Sequence, residues 1–293
     1  MSNIKAALGG KFALGGAAAI ALAMSVGAAQ AAPVNFTWNP AGASVPLNGG
    51  TISNANNYNI ADFSSISVNS STGAFTEDGT LNVLNFLNGG QTVVSTGLGT
   101  SYSLFLRFHA TGTQGAITTA NGTSSNGTFS SLSYQLLGSP NGSPPLAFSV
   151  SNGAVTTTGS GAELVLGYGN LVPGTGFVTL TKTANGYSPT ANVNLTFNEC
   201  LASGQGNDPT ALCTANQGGF FVSPASGLSL QIGNFSATDS VTTVTAGPTT
   251  TYINLNGGSG NLTFAAVPEP ASMAVFGVGM LALAGFARRR FQG

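Results

Sequence analysis

Charge is the scarcest property of this sequence. Its 293 residues include 7 lysines and arginines, 8 aspartates and glutamates, and a single histidine. Charged side chains make up 5% of the chain, whereas they make up roughly 25% of an ordinary soluble protein. Nucleic-acid binding depends on clustered cationic side chains that displace counterions from phosphates. The composition therefore excludes a nucleic-acid-binding protein.

Helical periodicity is also missing, because no stretch of a dozen residues between the two ends repeats its apolar positions every three to four residues. Apolar and polar residues instead alternate along several segments, most clearly at 102–110, 132–136, 193–197, 228–232 and 262–264. Such alternation is typical of half-buried β-strands. Eight Asn-Gly pairs punctuate these segments, and Asn-Gly favours the type I′ turns of hairpins.

These patterns predict an all-β fold in which residues 32–266 form one domain, an antiparallel β-sandwich or jelly roll. A β-solenoid is the alternative for an exported chain with 42 glycines. Solenoids show self-similarity at a fixed period, whereas the Asn-Gly pairs of this chain are irregularly spaced. The sandwich is therefore the favoured prediction.

The N-terminal segment has the three parts of a secretory signal peptide. Two lysines supply positive charge, residues 12–26 form an apolar run, and Ala29 and Ala31 form a small-x-small cleavage pattern. The apolar run is shorter than the roughly 20 residues that span a bilayer. We therefore expect residues 1–31 to be a signal peptide and the rest of the chain to be exported.

Residues 267–293 form a second targeting segment at the other end of the chain. It contains a Pro-Glu-Pro motif, an uncharged apolar stretch and three arginines, in that order: Pro268, Glu269 and Pro270, then residues 271–287, then Arg288, Arg289 and Arg290. As a transmembrane helix, the apolar stretch is just long enough for a thin membrane, and the arginines would stay on the cytoplasmic side. The body would then lie outside the membrane.

This tail resembles the PEP-CTERM sorting signal of bacteria that make exopolysaccharide. The resemblance implies that exosortase, a membrane-embedded transpeptidase-like enzyme, recognises the tail and processes the protein near the Pro-Glu-Pro motif. The motif and the arginines would be sorting determinants, and residues 271–287 would hold the precursor in the membrane before processing. The resemblance covers the tail and leaves the activity of the body open.

Cysteine is nearly absent, since Cys200 and Cys213 are the only two. Because we expect the chain to reach an oxidising compartment, they are predicted to form a disulfide bond around the polar loop 201–212. Closing about 14 residues removes on the order of 3 kcal/mol of unfolded-state entropy in the chain-entropy model. A zinc site is the alternative, but it needs four ligands, and His109 is the only histidine.

A Ser-His-Asp triad would have to use His109, which shares one face of a strand with Arg107. The simpler interpretation of these two cations is a solvated or hydrogen-bonded pair. The acid of a triad would come from one of four aspartates: Asp62, Asp78, Asp208 or Asp239. No Gly-x-Ser-x-Gly motif accompanies them.

Glycosidase chemistry needs two carboxylates roughly 5 to 9.5 Å apart. Glu77 and Asp78 are adjacent and would point to opposite faces of a strand, while Glu163 and Glu199 cannot be paired from the sequence. Two oxygen-rich turns keep calcium open as an alternative: Glu77-Asp78-Gly79 and Asn207-Asp208. We nevertheless expect a protein that is not an enzyme and has no cofactor or metal.

Three segments of the body resemble flocculation-associated PEP-CTERM proteins: residues 74–81, 97–105 and 219–222. This resemblance implies an extracellular protein that helps cells to aggregate within exopolysaccharide. We therefore expect a non-enzymatic surface, biofilm or matrix protein. Its expected partners are exosortase and either exopolysaccharide or cell-surface glycans.

Two other binding functions stay open. A lectin-like sugar-binding module would show a concave face with exposed aromatics such as Tyr168, Tyr187 or Trp38. An ice-binding protein would need Thr-x-Thr repeated at a fixed period, whereas the threonines at 156–158 and 249–251 are consecutive.

Overall fold

A computed structural model of the chain describes residues 33–45, 47–117, 120–142, 145–184, 186–200, 213, 219–223, 228–236, 241–246 and 250–266. The described residues form β-strands joined by turns, with one short 3-10 turn at Pro40–Gly42. The strands are β1 (Phe36–Trp38), β2 (Ile52–Ala55), β3 (Asn57–Asn69), β4 (Ala74–Asn88), β5 (Gln91–Thr92), β6 (Tyr102–Gln114), β7 (Ser124–Pro140), β8 (Ala147–Ser151), β9 (Ala154–Thr158), β10 (Leu164–Asn170), β11 (Phe177–Thr183), β12 (Gly186–Thr196), β13 (Asn198–Glu199), β14 (Phe221–Ser223), β15 (Leu228–Ser236), β16 (Val241–Ala246) and β17 (Thr250–Ala266).

Eight strands form a sheet that closes on itself. The order is β3-β4-β6-β7-β11-β12-β15-β17, and β17 returns to pair with β3. Closure depends on the long strand β7, whose first part pairs with β11 while its second part pairs with β10. All of the pairs in this ring are antiparallel. The predicted all-β, antiparallel, sandwich-like fold is therefore confirmed.

Alternating side chains of the closed sheet fill its interior. In β6, Leu104, Leu106 and Ala110 are fully buried inside, whereas Arg107 and His109 face outward, as the alternation predicts. The strands predicted at 132–136, 193–197, 228–232 and 262–264 correspond to β7, β12, β15 and β17, although residue 197 follows the end of β12.

A small sheet with the order β14-β1-β2 adds aromatic residues to this core. Trp38 of β1 lies 5.4 Å from Phe264 of β17 and 5.9 Å from Phe86 of β4, measured between ring centroids. Phe220, next to β14, lies 5.3 Å from Trp38. These rings are all buried, so the small sheet and the closed sheet share one hydrophobic core.

The hairpin of β8 and β9 covers part of the outer surface of the closed sheet. Asn152 and Gly153 form its turn with φ values of 49° and 82°, which a type I′ turn requires. The amide of Asn256 in β17 both donates to and accepts from the backbone of Val150 at 2.9 Å. The hairpin buries Phe148 against Phe105, an outward-facing residue of β6.

Two of the described Asn-Gly pairs lie within strands, so the prediction of hairpin turns was wrong for them. Asn126-Gly127 lies within β7, where Gly127 lets the backbone of Thr113 and the side chain of Gln114 approach closely. Asn256-Gly257 lies within β17, where the pairing register shifts and Gly257 has a φ of +86°. Glycine is favoured at β-bulges and where another backbone approaches closely, as well as in turns.

The predicted disulfide bond is confirmed, since Cys200 and Cys213 are bonded with their Cα atoms 5.4 Å apart. The loop 201–212 lies outside the described residues, and so does Asp208. The signal peptide 1–31, with Ala29 and Ala31, and the tail 267–293 also lie outside them. Within the part of the chain that the structure describes, no helix has the length and hydrophobicity needed to cross a membrane.

Candidate functional site

Polar side chains stand in rows across the outer face of the closed sheet. Antiparallel pairing brings one outward residue of each strand into line with the next, and neighbouring strands lie roughly 4.8 Å apart. We call these the polar rows: Arg107, Gln135 and Tyr168; Asp78, His109, Ser133 and Asn170; Thr76, Thr111 and Ser131; Thr113, Thr128 and Phe177; Asn126, Thr179 and Thr190. They cross strands β4, β6, β7, β10, β11 and β12.

Hydrogen bonds link neighbouring side chains within the polar rows. The hydroxyl oxygens of Thr111 and Ser131 lie 2.7 Å apart, and Thr179 donates to the amide oxygen of Asn126 at 2.9 Å. Each hydroxyl in such a pair keeps capacity for one more bond to a ligand or to water. The face is therefore ordered and polar, with hydrogen-bonding groups still available.

Arg107 and His109 of the polar rows each contact a carboxylate side chain. Arg107 donates two hydrogen bonds to Glu163, at 3.0 and 2.8 Å, and Nδ1 of His109 lies 2.7 Å from Asp78. The prediction that Arg107 and His109 face outward is confirmed. Each side chain also gains an acidic partner that the sequence could not assign.

Asp78 is the candidate aspartate that contacts His109 and could orient its ring. Asp62 points into the interior and cannot reach it, and Asp208 and Asp239 lie outside the described residues. Ser133 follows His109 in the same polar row. The structure therefore brings together an aspartate, the histidine and a serine on one exposed face.

The predicted aromatic residues of a sugar-binding face are mostly buried. Trp38 is 1% exposed and Tyr187 is 9% exposed, so neither belongs to the exposed aromatic face that a lectin-like module would need. Trp38 packs in the central aromatic core, and the ring of Tyr187 lies 5.2 Å from the Lys182 ammonium. Tyr168 is half-buried at one end of the polar rows.

Phe177, which the sequence analysis missed, is 56% exposed in the polar rows. Its position follows from the alternation of β11, in which Val178 and Leu180 are buried and Thr179 faces outward. Phe177 pairs with Thr128, and Tyr168 pairs with Gln135 further along β7. The two aromatic residues are therefore spaced along β7 by roughly 23 Å, the rise of seven strand residues.

A second polar cluster lies inside the closed sheet. Asp62 of β3 and Glu77 of β4 are 1% and 8% exposed, and the fully buried Ser64 lies between them. The Ser64 hydroxyl oxygen is 3.0 Å from Asp62 Oδ2 and 2.9 Å from Glu77 Oε1. A serine hydroxyl has one hydrogen to donate. If both contacts are hydrogen bonds, one carboxyl group is protonated and donates to Ser64.

Burial raises the pKa of both carboxyl groups. Loss of hydration is the main cause for Asp62, whose pKa is held well above its usual range, and the nearby Glu77 raises it further. Burial also raises the pKa of Glu77 to about 7, with a smaller contribution from Asp78, while the Ser64 hydrogen bond opposes the rise. Neutral carboxyl groups at this place agree with the hydrogen count at Ser64.

This cluster lies against a cavity with apolar walls. The cavity leaves about 40 Å³ for the centres of water molecules, and its described lining contains Asp62, Glu77 and Tyr134 among apolar residues of β4, β6, β7, β12 and β15. That volume holds a few water molecules. Among the described residues, no three histidine, cysteine, aspartate or glutamate side chains come together as metal ligands.

The structure corrects the predicted calcium turn at Glu77-Asp78-Gly79, because these residues lie in the middle of strand β4. Glu77 points inward and Asp78 outward, as the glycosidase argument predicted. The sequence analysis missed the pairing of Asp62 with Glu77. Its signal was the alternation that places Asp62 and Ser64 on one face of β3, next to the inward face of β4.

The tail of the chain matches a known sorting motif. The PEP-CTERM protein-sorting motif matches residues 266–290, the segment that contains Pro268, Glu269, Pro270 and the three arginines. Neither the curated proteins nor the solved structures gave a match. The chain therefore carries a PEP-CTERM sorting signal, which indicates a protein that is exported as a membrane-anchored precursor and sorted by exosortase.

Proposed function

We propose that the exported body is a non-enzymatic surface or matrix protein that associates with exopolysaccharide through the polar rows, in biofilm or flocculation. The observation that carries the proposal is the ordered outer face of hydroxyl, amide and paired ionic side chains, on which the ring of Phe177 is exposed. Hydroxyl and amide groups offer both donors and acceptors. Sugars present the same groups, so this face complements them.

The electrostatics of the face favour a polysaccharide of low charge. Arg107 and His109 each contact a carboxylate, and so neither is a free cation that would attract an anionic chain. Tyr168 and Phe177 add apolar surface along β7. A polysaccharide chain that follows β7 would pass hydroxyl groups between two aromatic side chains.

Attachment to the cognate exopolysaccharide should vary little between low and physiological salt. Exposed charges are screened over a Debye length of about 8–10 Å, whereas hydrogen bonds and apolar contacts are not. The Arg107→Ala, His109→Ala double variant should attach almost as well as the wild type, because exposed ion pairs contribute little. Co-sedimentation with purified exopolysaccharide at several salt concentrations measures both effects.

Phe177→Ala should weaken the same attachment by about fivefold or more, equivalent to about 1 kcal/mol. Val222→Ala is the matched control, because Val222 is 54% exposed but lies in the small sheet. Equal attachment by the Phe177 variant, or steep salt dependence of the wild type, would contradict the proposal. Steep salt dependence would point to an anionic polysaccharide and to Arg107 and His109.

A lectin-like module is the second candidate, and the exposure of Phe177 favours it. Such a module would recognise one type of sugar, whereas a matrix protein would bind a broad neutral chain. A glycan array separates the two, since a lectin retains a few related glycans. An ice-binding function has less support, because Thr156, Thr157 and Thr158 follow one another in β9 and so point to alternating faces.

A hydrolase is favoured only by the row that contains Asp78, His109 and Ser133. An acyl-transfer site also needs backbone N–H groups aimed at a developing oxyanion. Ser133 lies within β7, which is paired on both sides, so its backbone belongs to the ladders of the sheet. Labelling of the wild type but not of Ser133→Ala by a fluorophosphonate would contradict the non-enzymatic proposal.

Processing of the tail should be visible in the producing bacterium. Mass spectrometry of the secreted protein should find no peptide that precedes Ala31 and none from residues 276–293. The Pro268→Ala, Glu269→Ala variant should keep its tail and stay with the membrane fraction. Intact tail peptides in freely soluble wild-type protein would contradict processing by exosortase.

A further inference from the structure

The strongest feature that the proposed function does not use is the interior group of Asp62, Ser64 and Glu77. Two carboxyl groups from different strands point into the core, although no lysine, arginine or histidine is among the described residues that line the cavity. Asp62 is 1% exposed, and its Oδ1 atom has no hydrogen-bond partner among the residues that the structure describes. A buried carboxyl oxygen without a partner is costly. It therefore points to a ligand that this oxygen could bind.

We propose that Asp62, Ser64 and Glu77 form a binding site for one calcium ion inside the closed sheet. The ligands would be the two carboxylates and the Ser64 hydroxyl, which already brings Asp62 Oδ2 and Glu77 Oε1 within 3.0 and 2.9 Å of one oxygen. Oxygens about 3 Å apart subtend roughly 75° at an ion bound at about 2.4 Å. That angle suits the seven or eight ligands of calcium.

Charge balance favours a divalent ion. Two ionised carboxylates and one Ca²⁺ are neutral together, whereas the carboxylates alone would leave two unpaired negative charges in an apolar core. The cavity beside them has room for a few water molecules, which would complete the coordination shell. Mg²⁺ fits less well, because it demands near-ideal octahedral geometry and gives up its own water reluctantly.

Binding is an exchange of protons for the ion. The pair gives up at least one carboxyl proton to solvent, and each freed oxygen takes a place in the calcium shell. The carboxyl O–H bond breaks and leaves its electron pair on the oxygen, and no other covalent bond of the protein changes.

The test is the thermal unfolding of the full-length chain after treatment with EDTA, at about pH 8, with and without millimolar CaCl₂ or MgCl₂. We expect CaCl₂ to raise the Tm of the wild type by about 5 °C or more, and MgCl₂ to raise it less. The Asp62→Asn, Glu77→Gln double variant should lose the rise. Glu163→Gln is the matched control. It removes an exposed carboxylate just before the start of β10 and should keep the rise in Tm.

Equilibrium dialysis of the wild type with CaCl₂ gives a second readout that does not depend on the double variant. We expect one bound ion per chain, retained by Asp208→Asn and weakened at least tenfold by Ser64→Ala. Absence of bound calcium in the wild type would overturn the proposal. So would an equal Tm rise in the Asp62, Glu77 double variant, or loss of the ion in Asp208→Asn.

Discussion

At about pH 8 and in the presence of EDTA, the Asp62→Asn, Glu77→Gln double variant should be more stable than the wild type. Burial raises the pKa of Glu77 to about 7 from its ordinary value of 4.5, and the pKa of Asp62 is raised in the same direction. The amide variants have nothing to ionise. They therefore avoid the cost of keeping buried carboxyl groups protonated, or of charging them.

The sign of the pH dependence follows from proton binding. Between about pH 4.5 and 7, native Glu77 keeps a proton that the unfolded chain has released. The stabilisation linked to this proton is complete below about pH 4.5 and is lost as the pH rises to about 7. The free energy of unfolding should fall by on the order of 3 kcal/mol across that interval for Glu77 alone. Asp62 adds to the fall.

Urea denaturation at several pH values measures this effect. Burial also raises the pKa of Glu199 to about 7, so the wild-type slope contains its contribution. The difference between the wild type and the double variant isolates the interior pair. Glu163→Gln should keep the wild-type slope, because it changes only an exposed ion pair. Parallel pH profiles for the wild type and the double variant would show that the pair does not titrate as proposed.

Much of the fold could be predicted because alternation is a local property. Leu104, Leu106 and Ala110 occupy one face of β6, and their sequence spacing alone assigns them to the core. Pairing between distant strands is not local. The closure of the sheet depends on the contact of β7 with β11, and the burial of Phe105 depends on the hairpin of β8 and β9. Neither contact leaves a periodic pattern in the sequence.

The two polar sites could likewise be predicted only where the positions followed from a single strand. The outward position of His109 followed from its strand, whereas its contact with Asp78 required the register between β4 and β6. Asp62 and Ser64 lie on one strand of a hairpin and Glu77 on the other, so the register that pairs Glu77 with Ile66 is needed to place it beside Ser64. The calcium alternative placed Glu77 and Asp78 in a turn, because acidic residues beside glycine favour turns. The hydrophobic alternation on both sides overrode that preference.

Trp38 was one of the aromatic residues that a lectin-like module would expose, and its burial leads to the second large prediction. Trp38→Ala should lower the free energy of unfolding by about 3–5 kcal/mol, because it removes a large ring from a packed core. The ring contacts Phe36, Phe220 and Phe264 at centroid distances of 4.5, 5.3 and 5.4 Å. A three-residue strand offers too little sequence for alternation to reveal these contacts, and Phe220 and Phe264 lie far from Trp38 in the chain.

Circular dichroism in urea should follow this unfolding, because Trp38 is the only tryptophan and its fluorescence is lost in the variant. Leu84→Ala is the control, since Leu84 is 52% exposed and its truncation should cost less than about 1 kcal/mol. Trp38→Phe should fall between the two. It keeps an aromatic ring and removes the Trp38 Nε1 donor, which is buried without a partner among the described residues. A Trp38→Ala protein as stable as Leu84→Ala would show that the small sheet contributes little to the common core.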